Sequence, residues 1–220
     1  MNARESKKIV RKNKKTANSG GLAMRIKYFV VIASFLAVIL VMTLIIPGLP
    51  KSEETFSDFG TSTDFNLINQ NGEIVTSDDL IDKVVLMDFI YTRCSMPMMC
   101  LLASLNFVQV QQALGEKFGT EVILITITFD PGYDTPEVLK QYGESLGADF
   151  SGWQFLTGDN QKISEVMQGY GLWYEENVET GIINHTMLTV LIDREGNIRK
   201  QYLGNLAELY EILDDIQQLL

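Results

Sequence analysis

The sequence predicts a mixed α/β domain built around parallel strands, held behind an apolar N-terminal segment. Three observations carry that expectation. Two runs, Val84–Tyr91 and Val122–Phe129, are nearly continuous in apolar residues, as strands buried on both faces of a sheet must be. Each is followed by a stretch with helical spacing, and regular alternation of long strand and helix implies parallel pairing. Residues 28–46 are apolar apart from Ser34, Thr43 and the phenol of Tyr28.

The N-terminal part divides into three pieces. Residues 1–27 carry nine basic side chains, from Arg4 to Lys27, against Glu5 alone. Residues 28–47 are long enough, at about 1.5 Å per residue in a helix, to cross a bilayer core. The run exceeds the roughly 7–15 residues of a signal-peptide core, and neither an A-x-A site nor a cysteine follows it. It is therefore expected to be an uncleaved single anchor. Basic flanks stay on the cytoplasmic side, which makes the rest of the chain extracytoplasmic, on the periplasmic side of a bacterial inner membrane or its equivalent. Residues 48–64, rich in Ser, Thr, Gly, Pro and acid, read as a linker, and residues 65–220 as one domain.

Nine bases and one acid give the tail a net +8, so a total of −10 leaves −18 on the remainder. So acidic a domain repels phosphates and argues against nucleic acid as a partner. The basic tail fits membrane orientation and contact with anionic lipid.

Within the domain, Asn71-Gly72 between Phe65–Asn69 and Ile74–Val75 signals a hairpin, because both residues tolerate positive φ. The Val84 strand follows. Leu101, Leu102, Leu105 and Val108 then recur at helical spacing, with Gly115 as a stop. After the Val122 strand, Thr135-Pro136 opens a helix, the hydroxyl capping it and the proline suiting its first position. A short strand at Gln154–Leu156 and a helix at Gln161–Tyr170 come next. A variable stretch then leads to paired strands Met187–Ile192 and Ile198–Leu203, and an amphipathic helix over Leu206–Leu220 closes the chain. This order is that of a thioredoxin-like fold with an N-terminal β-hairpin and an insertion before its final hairpin.

Only two cysteines occur, Cys94 and Cys100, in a compartment where unprotected thiols oxidise. They bracket a strand-to-helix turn at the C-terminal end of a central strand, where open α/β sheets place their ligand sites. A helix N-terminus favours thiolate, which suits a nucleophile and a metal ligand equally. A stapling disulfide is the bland alternative, worth about 2 kcal/mol for so short a loop. His185, the single histidine, precedes the strand expected to lie beside the Cys100 helix, so it would face the two thiols. Two thiolates and an imidazole suit Cu(I), hold Cu(II) if another donor joins them, and accept zinc with a water in the fourth position. Met96, Met98, Met99 and Met187 lie in or beside the same segments, either as soft thioether donors or as packing around the site.

The segments DFNLINQNGEIVTSDDLIDKVVLMDFIYTRC and TFDPGYDTPEVLKQY, with the His185 strand and LIDREGNI, resemble the Sco (SenC) family of membrane-anchored, thioredoxin-fold copper proteins from about Asp64 onward. The resemblance implies copper as cofactor, with Cys94, Cys100 and His185 as its ligands. It implies delivery to the binuclear copper centre of cytochrome c oxidase, with that centre's subunit as partner, or reduction of the centre's cysteines. A thiol reductant or copper donor protein would serve it. Asp130 matches a family position and either supports the site from behind the ligands or simply makes a good Asp-Pro turn. The usual family spacing is C-x-x-x-C, whereas CSMPMMC is C-x5-C, two residues longer.

Two readings of the function follow. As a metallochaperone the chain needs the histidine. As an enzyme it would be a thiol-disulfide reductase, one cysteine attacking and the other resolving, and then Cys94 and Cys100 would be catalytic. Thioredoxin-type reductases place a proline just before the strand facing their cysteines, yet Pro47, Pro50, Pro97, Pro131 and Pro136 are all remote in sequence from His185, and C-x-x-C is missing. A peroxidase reading would need a Thr-x-x-Cys context that is not there. The aromatic pair Trp173 and Tyr174 in the variable stretch is a candidate client contact or part of the core.

Overall fold

The structure is a computed structural model that describes residues 29, 32–41, 56–94, 100–176, 183–204 and 209–220. The chain divides into two units, Met1–Thr55 and Phe56–Leu220. In the first, residues 32–41 form a helix, α1, whose side chains, including Phe35, Leu36 and Leu40, are exposed. Among the described residues no helix is long and apolar enough to cross a membrane. The remainder of the expected span, the basic tail and most of the linker lie outside them.

The second unit is a seven-stranded mixed sheet in the order β2-β1-β5-β4-β3-β8-β9. Its strands are β1 (Asn66–Asn69), β2 (Ile74–Thr76), β3 (Val84–Ile90), β4 (Val122–Thr128), β5 (Trp153–Thr157), β8 (Leu188–Ile192) and β9 (Ile198–Leu203). A separate two-stranded ribbon, β6 (Tyr174–Glu176) with β7 (Ile183–His185), is the insertion expected before the final hairpin. The helices are α2 (Cys100–Leu114), α3 (Pro136–Leu146), α4 (Asn160–Gly169) and α5 (Leu209–Leu219). The Gln154 strand and the closing helix thus stand within a few residues of their expected bounds.

The continuous apolar runs explain the centre. All seven residues of β3 and all seven of β4 are buried, and the two strands pair in parallel from Val84↔Val122 to Ile90↔Thr128. Alternate side chains feed two clusters. Val85, Met87, Ile125 and Ile127 meet Ile163 and Val166 of α4 on one face. Leu86, Val122 and Leu124 meet Phe107, Val110, Leu139 and Ile212 on the other. At about 1.5–3 kcal/mol per fully buried large aliphatic or aromatic side chain, these layers are what holds the sheet flat against its helices.

Local chemistry sets the boundaries. Asn69 Oδ1 accepts from Asn71 N and Glu73 N, and Gly72 sits at φ 80°, closing the β1–β2 turn. Thr135 Oγ1 accepts from Val138 N at 3.4 Å to cap α3, and Asp159 Oδ1 accepts from Lys162 N at 2.9 Å to cap α4. Residues 56–64, expected as the end of the linker, lie along the β8–β9 turn instead. Phe59 N donates to Ile198 O, Ile198 N to Gly60 O, and Ser62 N to Gly196 O.

The antiparallel partner of β3 is β8, in the register Val85↔Ile192 to Asp88↔Thr189. Since β8 runs against β3, its beginning meets the C-terminal end of β3. That is why a histidine just before β8 arrives where the strand-to-helix turn begins.

Candidate metal centre

Cys100 opens α2 and is 2% exposed, packed into the same cluster as Phe89, Tyr91 and Phe129. Cys94 is half-buried against that cluster, one turn past β3, with its N–H donating to Tyr91 O at 3.3 Å. Neither is in a disulfide. His185 ends β7, opposite Tyr174 in the ribbon, and its Nε2 stands 3.8 Å from Cys100 Sγ. The expected convergence of Cys100 and His185 is therefore present, with Cys94 close enough to act on the Cys100 thiol.

The imidazole is preset. Its Nδ1 lies 3.1 Å from Thr186 O, so Nδ1 carries the proton and donates to that carbonyl. Burial lowers the histidine pKa, outweighing the carbonyl bond that would raise it. The ring is then neutral, with the Nε2 lone pair aimed at Cys100. A histidine that gives one N–H to a backbone carbonyl and offers the other nitrogen is arranged as metal-binding histidines are. Its ring is held by Phe129, 4.5 Å away between centroids, and by Tyr91, edge-on at 5.9 Å.

Burial pushes the Cys100 thiol well above its ordinary range, and the neighbouring Cys94 and Asp88 add to it against a lowering contact from the Tyr91 backbone. The thiolate preference expected from a helix N-terminus is thus overridden in the metal-free protein by desolvation. A cation would reverse that sign, because a coordinating thiol is deprotonated outright.

The 3.8 Å span tests the fit. With bonds of about 2.3 Å to sulfur and about 2.0–2.1 Å to nitrogen, one metal would see a sulfur–metal–nitrogen angle of about 120°. That is the opening a three-coordinate soft cation needs. Among the described residues no group of three His, Cys, Asp or Glu side chains is already closed into a cage. Met96, Met98 and Met99, and the loop that carries them, lie outside the described residues.

Asp130 does not reach the thiols in any described contact. Its Oδ2 takes Arg93 Nε at 2.5 Å, with the Arg93 guanidinium 4.9 Å over the Tyr133 ring, while its carbonyl accepts from Tyr133 N and Asp134 N. Asp130 is both the turn former and a tie on the residue next to Cys94. A second tie was not expected: buried Asp134 accepts from Thr92 N at 3.1 Å, from Thr92 Oγ1 and from Thr128 Oγ1. The turn bearing Cys94 is fixed to the end of β4 at two points. Phe129, one residue before Asp130, and Tyr91, three before Cys94, were the positional signals for the rings that hold His185.

The profile of the family described as SCO1/SenC matches residues 53–220. The chain belongs to the SCO1/SenC family. A SCO2-like protein of Rickettsia felis is 33% identical over 144 residues, covering 63% of this chain and 67% of its own. The structure of Bradyrhizobium japonicum ScoI with copper bound matches with a TM-score of 0.64 at 28% identity, over 73% of this chain and all of that one. BsSco, in which a disulfide switch was identified and which is a member of the Sco family of cytochrome c oxidase assembly proteins, shares the fold with a TM-score of 0.64 at 23% identity, over 76% and 98% of the two chains. Sco structures thus share this mixed α/β thioredoxin-like fold, and copper is bound in homologous ones.

Proposed function

We propose that this Sco-family chain is a membrane-anchored metallochaperone that binds copper through Cys94, Cys100 and His185 and passes it to the binuclear copper centre of cytochrome c oxidase. The observation that carries the reading is the neutral imidazole whose Nε2 lone pair points at Cys100 Sγ across 3.8 Å. A dithiol enzyme does not require that arrangement, whereas a three-ligand site for a soft cation does. Copper is here the cargo. Cys100 is the buried donor, Cys94 and His185 are half-buried, and ligand exchange with a partner would begin at the more accessible of the two thiols, Cys94. The N-terminal apolar segment would hold the domain on the extracytoplasmic side, beside the oxidase subunit that takes the metal.

A second reading is favoured by one observation, the unequal exposure of the two cysteines. In it, the Cys94 thiolate attacks a partner disulfide and Cys100 resolves the mixed disulfide. The partner leaves with two thiols and Cys94–Cys100 becomes the disulfide.

Titration of the reduced protein with Cu(I) against a competing chelator separates the two. One tightly held copper, lost in His185→Ala, in Cys94→Ser and in Cys100→Ser, is the expected result. Unchanged affinity in His185→Ala with disulfide exchange intact would leave the reductase reading standing and remove the chaperone one.

A further inference from the structure

The three side chains expected to meet at the metal are placed by different means. Cys100 is the first residue of α2 and is buried in the core, and His185 is packed against the Phe129 and Tyr91 rings. Cys94 lies outside any strand or helix, beyond the end of β3 at Ile90. The two residues before it are both gripped from the turn between β4 and α3. Asp130 takes Arg93 at the surface, where the arginine side chain is 42% exposed, and exposed ion pairs hold only weakly. Asp134 takes Thr92 from inside. It is 0% exposed and accepts from Thr92 N at 3.1 Å and from Thr92 Oγ1, as well as from Thr128 Oγ1 at the end of β4. Asp134 is itself fixed: its N–H donates to Asp130 O at 2.9 Å, Asp130 N donates to Thr128 Oγ1 at 3.0 Å, and the next residue, Thr135, caps α3. The carboxylate thus ties the residue two before Cys94 to a central strand and to the start of a helix, the kind of rigid support that places a ligand accurately.

We propose that Asp134 is a positioning residue for the metal centre: through Thr92 it holds the turn that sets the Cys94 sulfur where Cys100 and His185 converge. This rests on the reading of Cys94 as a copper ligand. Asp134 touches no donor atom and acts by keeping the metal-free chain in the arrangement that binds. A protein in that arrangement only part of the time binds more weakly by that fraction, so loosening the turn appears as lost affinity even where the ligands are intact. The same placement raises the effective concentration of the Cys94 thiol at Cys100, and so governs how readily the two close into a disulfide.

The test measures Cu(I) affinity against a competing chelator in the full-length protein, for wild type, Asp134→Ala, Thr92→Val and Thr92→Ser. Valine keeps the shape of Thr92 and deletes its hydroxyl, whereas serine keeps the hydroxyl. Asp134→Ala and Thr92→Val should each weaken copper about fivefold or more, and Thr92→Ser should stay near wild type. Gly143→Ala is the control for stability alone, since its Cβ would stand 2.7 Å from Phe150 Cε1, about two turns along α3 from the cap. It should lower the melting temperature and leave copper affinity unchanged. Unchanged affinity in Thr92→Val, or an equal loss in Gly143→Ala, would overturn the inference; if Asp134→Ala does not fold, the Thr92 pair decides. A wild type that binds no copper would end the chaperone reading by itself. Equilibration of the metal-free proteins with glutathione then decides the role of Asp134: a Cys94–Cys100 disulfide about fivefold less stable in Thr92→Val but not in Thr92→Ser would support it, and equal stability in all three would overturn it.

Discussion

Replacing Asp88 with asparagine should stabilise the domain at alkaline pH and leave it nearly unchanged in acid. Asp88 lies in the middle of β3 and is 1% exposed. Thr126 Oγ1 donates to its Oδ1 at 2.6 Å and in turn accepts from Trp153 Nε1 at 3.0 Å, while Oδ2 has no hydrogen-bond partner among the described residues. Burial, only partly offset by the Thr126 bond, raises the carboxyl from 3.8 to about 7. The folded protein therefore keeps this proton at pH values where the unfolded chain has lost it. Stability from the protonated group is complete below about 4, declines as pH rises, and has gone once pH passes about 7. A rise of about three units at 1.36 kcal/mol each puts the loss at about 4 kcal/mol at most. Asparagine keeps an acceptor for Thr126 and cannot ionise. Urea unfolding of wild type and Asp88→Asn at intervals from pH 4 to pH 9 should give a difference near zero at the acid end that grows to a plateau above pH 7. A difference independent of pH, or a wild type that is the more stable at pH 9, would show that Asp88 is not held as a neutral acid.

Asp134→Ala should cost about 3 kcal/mol or more by urea unfolding, because three donors from Thr92 and Thr128 lose their buried acceptor at once; a cost below about 1 kcal/mol would mean that water replaces the carboxylate. Gly143→Ala should lower the melting temperature even though alanine is the better helix former by about 1 kcal/mol. The added Cβ would stand 2.7 Å from Phe150 Cε1 and 2.9 Å from Phe155 Cε2, and overpacking of that kind costs about 1–3 kcal/mol. A raised melting temperature would show that both rings yield freely.

Where a rule acts on neighbours in sequence, the chain was readable. The Asn71-Gly72 hairpin, the Thr135-Pro136 helix start and the two buried parallel strands follow from local φ preference, capping and hydrophobic run length, and each stands where expected. His185 could be placed opposite Cys100 because antiparallel β8 brings its own beginning to the end of β3. What escaped depends on tertiary surroundings. Asp88 passed as one polar residue inside an apolar run, and only three-dimensional burial makes it a neutral acid. Asp134 reads as an ordinary residue ahead of a helix cap until Thr92 is seen beside it. The Cys100 thiol was assigned the character of its helix position, whereas its desolvation decides its charge. Nothing in the composition of residues 56–64 tells that polar stretch from a free linker; its hydrogen bonds to the β8–β9 turn do.

That last segment bears on where the domain can be cut. β9 is the outer strand of the sheet, and a bare outer strand offers its backbone groups to any other chain that can pair with it. Gly60 and Phe59 occupy those groups at Ile198, and Thr61 bridges to Asn197, so the approach to the domain doubles as a guard on its open edge. A fragment begun at Phe65 would keep every strand and helix of the sheet and lose that guard, leaving the start of β9 open to edge-to-edge self-association. One begun at Phe56 would retain it.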